Sequence, residues 1–171
     1  MGLFLWIEQL PLSVWVRESP TIFAFPFILF LHTLGLAMLA GLSCGINLWL
    51  LLPQPRMPER VSMRGIFQVM WLGFGINAVS GVLLLMAYPA KALTNVVFYT
   101  KIALIVIALI GVERLKNEVF VGSLPGKPLA VSSRAKILAV GTLLLWGGVV
   151  FAGRLLAYTH HILLASDPWA R

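Results

Sequence analysis

The chain has 171 residues, 60% of them hydrophobic and 11% charged, with a net charge of +7. A soluble domain carries about 25% charged residues, so this chain lacks the polar groups to cover a water-facing surface, and its apolar residues come in long runs. The basic residues gather in two connecting stretches, a topology pattern rather than a nucleic-acid-binding one, and the single cysteine, Cys44, excludes an intramolecular disulfide and a cysteine-based metal site.

The first segment, 3–17, carries Leu3, Ile7, Leu10 and Val14 at helical spacing beside Trp6 and Trp15, with Glu8, Gln9 and Ser13 elsewhere. This predicts a short amphipathic helix lying in the membrane interface and bent at Pro11. The segment does not read as a secretory signal: it has no basic n-region, it carries Glu8, and no small-residue cleavage site precedes the first long apolar run. Ser19-Pro20 resembles a helix start, and the first long apolar helix is expected over about 20–52, stopped by Pro53 and Pro55. A helix of that length exceeds the ~30 Å hydrocarbon core, and Pro26 is the candidate kink. Three further membrane helices are expected over about 65–86, 96–112 and 137–165. The second ends near Pro89, the third is capped by Thr94 or Asn95, and the fourth is terminated by Asp167-Pro168. The predicted fold is an all-α integral membrane protein, a four-transmembrane-helix bundle in one domain over 1–171.

Charge sets the expected orientation. Arg56, Arg60 and Arg64 lie in one odd-numbered loop, and Arg114, Lys116, Lys127, Arg134 and Lys136 in the other; the opposite side has Arg17, Lys91 and Arg171. The positive-inside rule places the odd loops in the cytoplasm of an inner (plasma) membrane protein and both termini outside, facing the periplasm. Small residues mark expected packing faces: Ala37, Gly41 and Gly45; Gly73, Asn77 and Gly81; Gly148 and Ala152. Such spacing lets helix backbones approach in lipid, and it also leaves room for a flat cofactor.

Ionisable residues inside apolar runs point to function. His32, Lys101 and Arg154 sit on three helices, each roughly 4–8 Å from the bilayer midplane on the outer side when depth is counted at 1.5 Å per residue. No Asp or Glu shares that depth. A buried Lys or Arg needs an anion, water or a lost proton, and Arg does not readily lose its proton. A haem supplies what is missing, since its propionates pair with Lys and Arg and its iron takes a His. A quinone head group or lipid phosphate explains the cations but not His32. Each residue also has a plainer reading: Lys101 and Arg154 snorkelling to the interface, and His32 hydrogen-bonded in the core. His160 and His161 project about 100° apart, so at most one faces the bundle as a second iron ligand; the plainer reading is an interfacial pair. Met86 is a candidate thioether ligand or a packing residue. Asn77, Ser80 and Tyr99 are candidates for bonding a ligand or a neighbouring helix.

Leu31-His32-Thr33-Leu34-Gly35 running to Ala40-Gly41, with Lys101-Ile102-Ala103-Leu104-Ile105 on a later helix, resembles compact four-helix membrane haem proteins. These are the HemJ-type protoporphyrinogen oxidases and the membrane part of CopD-type copper-resistance proteins. The resemblance implies a b-type haem served by His32, with Lys101 also functional. Gly45-Ile46-Asn47-Leu48-Trp49 replaces the aromatic-rich Pro-Arg stretch of the HemJ type, and there is no Met-rich or His-rich copper tract, so haem binding carries over and substrate does not.

The expected function is a membrane haem b protein, cytochrome b-like. His32 would ligate iron, His160 or His161 would be the second axial ligand, and Lys101 and Arg154 would hold propionates. Expected partners are the lipid bilayer, a quinone or periplasmic redox protein, and other copies or a larger membrane redox complex, with no nucleic acid. The alternatives are a non-catalytic membrane subunit or scaffold, and a small anion-binding transporter using Lys101 and Arg154.

Overall fold

The structure, a computed structural model, describes residues 6–53, 60–120 and 131–165, of which 60–63, 91, 119–120, 157 and 159–165 are described by backbone only. The described residues form helices and no strand. In chain order these are α1 (Pro11–Glu18), α2 (Phe25–Leu51), α3 (Arg60–Ala87), α4 (Pro89–Leu93), α5 (Val96–Phe120) and α6 (Ser133–Ala165). Four of them, α2, α3, α5 and α6, are long and apolar enough to cross a membrane. Arg56, Lys127, Arg171, Pro55 and Asp167-Pro168, invoked above for orientation and helix ends, lie outside the described residues, as do the side chains of Arg60 and Lys91.

Local chemistry sets the helix ends. Proline is tolerated in a first helical turn, where its missing N–H has no partner to lose. Pro11 opens α1 in this way instead of bending a longer helix. Pro26 does the same for α2, which starts at Phe25 and not at Pro20, so Pro26 makes no kink. The distortion in α2 is instead one π-helical turn, Ala37–Gly41. At 27 residues α2 is roughly 40 Å long. Asn95 caps α5, its Oδ1 accepting the Val97 N–H at 2.9 Å, while the Thr94 hydroxyl turns back to the Ala90 carbonyl. The helix α5 runs about two turns past the expected end at 112. Its charges there are accommodated: Lys116 pairs with Glu113 at 3.3 Å and lies 5.4 Å from the Phe67 ring centroid. Ser132 caps α6, its Oγ accepting the Ala135 N–H.

The helices pack as two hairpins, α2 with α3 and α5 with α6. The hairpins join where the Leu42–Leu51 half of α2 lies on α6; the Phe25–Leu36 half has no comparable backbone approach to α5 or α6. The main core accordingly sits towards the Leu51 end, around Leu39, Leu50, Met70, Ala108, Leu115 and Trp146. A smaller cluster at the Phe25 end docks α1 on the first hairpin through Val16, Ile28 and Ala87.

Glycine sets the α2–α3 crossing. A Cβ on Gly35 would sit 2.6 Å from the Asn77 backbone nitrogen and 2.7 Å from the Gly73 carbonyl oxygen. The expected stripe Ala37, Gly41 and Gly45 is instead exposed, with open space where a Cβ would project from either glycine. The buried face of α2 runs through Gly35, Leu39, Ala40, Ser43, Ile46, Asn47 and Leu50; Ala37 follows Gly35 by two residues, about 200° round the helix, so the stripe it begins lies on the opposite side. Gly73, Gly148 and Ala152 do pack: Gly73 against Met38, Gly148 against Leu104, and Ala152 buried.

Candidate functional site

His32 lies on α2, about two turns from Phe25, and is half-buried against α3. Its Nδ1 is 3.0 Å from the Asn77 backbone oxygen and 3.2 Å from the Ser80 hydroxyl. A carbonyl oxygen only accepts, so Nδ1 carries the ring proton and donates it to Asn77. The Ser80 hydroxyl gives its own proton to the Ile76 carbonyl at 2.6 Å, which leaves its lone pairs towards the imidazole. The Asn77 side chain closes the pair, its Nδ2 donating to the His32 carbonyl at 2.7 Å. Gly81 completes the seat: a Cβ there would be 3.1 Å from the His32 Cε1. Asn77 and Ser80 thus serve the interhelical bond. Tyr99 does not approach them, since its hydroxyl donates to the Leu93 carbonyl beside its own helix start.

The consequence for His32 is chemical. With Nδ1 protonated and held, Nε2 carries the lone pair. This is how an iron-ligating histidine is prepared: the second nitrogen donates to a carbonyl, fixing tautomer and ring orientation.

Lys101 lies on α5, about 7 Å along the axis from Val96. It is half-buried, its ammonium running beside Gly153 of α6. Among the described residues it has no carboxylate partner, because Glu113 is committed to Lys116 at the other end of α5. Arg154 follows Gly153 on α6, and its side chain is exposed rather than buried. A residue one position round the helix from the Lys101 contact is turned about 100° away, which accounts for the difference. His160 and His161 lie on the α6 backbone, and their side chains fall outside the described residues. Met86 is half-buried on α3.

The site therefore has two parts, His32 seated by Asn77, Ser80 and Gly81 in the first hairpin and Lys101 beside Gly153 in the second, both at the end of the bundle where the two hairpins approach least. Gly153 was not singled out from sequence, and its signal there is only its place one residue before Arg154. Among the described residues, His, Cys, Asp and Glu form no group of three suited to a bare metal ion. Compared with known proteins, the chain matches no family model, no curated protein and no solved structure.

Proposed function

We propose that this chain is a membrane b-type haem protein acting in electron transfer near the non-cytoplasmic face. The observation that carries this reading is the His32 tautomer. The neutral ring then carries its lone pair on Nε2, the nitrogen an iron ligand uses, and the Nδ1 bond fixes the ring's orientation. The other residues fit the same group. Lys101 offers a half-buried cation with no carboxylate partner among the described residues, suited to a propionate, and the hairpins approach least where these two side chains lie. Haem, when bound, supplies one-electron chemistry. The protein's part is to orient and to screen: the Asn77 carbonyl and Ser80 hold the His32 ring, and Lys101 supplies positive charge. Arg154 is the proposed second propionate partner, and His160 or His161 the proposed second axial ligand. An exchange partner would be a quinone or a periplasmic redox protein.

The orientation belongs to the same proposal. Arg64, Arg114, Lys116, Arg134 and Lys136 all fall towards the Leu51 end, which the positive-inside rule makes cytoplasmic in an inner membrane. The site then lies nearer the outer face, with α1 in the interface there, its Leu12 and Trp15 exposed.

Purified protein from haem-replete cells should show a Soret band and a pyridine haemochrome of b type, and His32→Ala should abolish or shift that band. A colourless preparation would overturn the proposal. A second reading, a non-catalytic membrane subunit, is favoured by the exposed Ala37, Gly41 and Gly45 face of α2, which is shaped for close approach by another helix.

A further inference from the structure

At the opposite end of the bundle, three helices enclose a small cavity of about 10 Å³ that is partly open to the outside and walled mostly by apolar side chains, Ile46, Met70, Val112 and Leu115 among them. Its walls include Ser43 and Asn47 of α2, Phe67 of α3 and Lys116 of α5. Asn47 is 1% exposed, and its Nδ2 has no hydrogen-bond partner among the described residues. A buried donor left unpaired costs about 1–3 kcal/mol, so a group this well enclosed is expected to meet an acceptor. Two further polar side chains line the cavity. Ser43 accepts the Trp146 indole N–H at 2.9 Å and keeps its hydroxyl proton and one lone pair. Lys116 brings an ammonium, half-exposed at the cavity and shared with Glu113 at 3.3 Å. The carboxylate of Glu113 competes with any anion for that ammonium.

We propose that this cavity is a binding site for one oxygen of a phosphate group, with the rest of the phosphate at the mouth beside Lys116. The volume admits a single oxygen atom and no more. The unpaired Asn47 amide asks for an acceptor, and the Lys116 ammonium at the same space favours one that carries negative charge. Phosphate reaches this end of the bundle from two sources, an anionic lipid headgroup and free phosphate. The site shares no residue with the His32 cluster and does not depend on its cofactor.

The test measures thermal unfolding of the full chain in detergent with dioctanoyl phosphatidic acid, inorganic phosphate or dioctanoyl phosphatidylcholine. A saturating phosphate ligand should raise the midpoint by roughly 5 °C. A rise with phosphatidic acid alone assigns the headgroup, and a rise with inorganic phosphate as well assigns the phosphate group itself. Asn47→Leu and Lys116→Gln should each remove the rise, whereas Lys136→Gln, an exposed cation at the same end, should retain it. Asn47→Leu should melt no lower than the parent without ligand, and if it fails to fold then Lys116→Gln alone decides. No rise with either phosphate ligand overturns the proposal. So does an equal rise in Lys116→Gln, or one with phosphatidylcholine as large as with phosphatidic acid.

Discussion

The two ends of the bundle are built differently from similar materials. Towards Leu51, all four long helices contribute to one apolar cluster, and the Trp146–Ser43 hydrogen bond ties α6 to α2 inside it. Towards Phe25, the first hairpin is locked by backbone contact at Gly35 and Gly73, while its approach to the second hairpin is looser and carries His32 and Lys101. The tight end provides the stability, and the looser end has room for polar and ionisable groups. A ligand between hairpins would be accommodated at the second end without disturbing the first.

The largest expected effect separates the ends directly. Trp146 is 1% exposed in the main cluster, and Trp146→Ala should cost roughly 3–5 kcal/mol, the range for deleting a buried aromatic. Unfolding titrations in a denaturing detergent would measure it. A loss under 1 kcal/mol would mean that the Leu51 end is not what holds the bundle together.

Gly35→Ala comes next and acts on the other end. Its new methyl would meet two backbone atoms, which cannot rotate away, so α2 and α3 must separate; roughly 1–3 kcal/mol is expected. Because the same crossing seats His32, the variant should also weaken any haem absorption, which Trp146→Phe should leave in place. Equal haem absorption in Gly35→Ala and the parent would uncouple the crossing from the site.

How much of this was legible in the sequence follows from the physics of each feature. Long apolar runs bounded by Pro and charge announced four helices, and the cap of α5 was narrowed to Thr94 or Asn95, because both signals are local; the structure gives the role to Asn95. The α5 extension was not legible, since Glu113 and Lys116 read as a helix end until a neighbouring Phe67 is known. The packing face of α2 was misplaced for a similar reason. A four-residue repeat of small side chains marks one side of a helix without saying whether that side meets the bundle, so Ala37, Gly41 and Gly45 seemed internal while Gly35 was passed over. His32 and Lys101 stood out because ionisable groups in apolar runs are costly wherever they point. The Asn77 carbonyl that sets the imidazole tautomer is a backbone atom, and no residue type encodes it.

A smaller effect is expected at the Glu113–Lys116 pair. Both side chains are more than a third exposed, so Glu113→Gln should cost only ~0.3–0.5 kcal/mol. The same change frees Lys116, so it should strengthen the midpoint rise with phosphatidic acid. A cost well above 1 kcal/mol would show that the pair is a structural clamp of the tight end.

The smallest effects belong to the outward face of α2, and they discriminate between an isolated bundle and an assembled one. A Cβ at Gly41 or Gly45 would meet nothing within 4 Å, so Gly41→Ala and Gly45→Ala introduce no clash within the chain. Alanine also loses less backbone entropy than glycine on entering a helix, so each change should leave stability within ~0.5 kcal/mol or raise it slightly. If instead either substitution destabilises the protein or lowers its mass in native mass spectrometry, the glycines are occupied by a neighbouring helix from another chain. The looseness at the Phe25 end would then have to be judged in that assembly, where a second copy or another subunit adds to what the four helices provide alone.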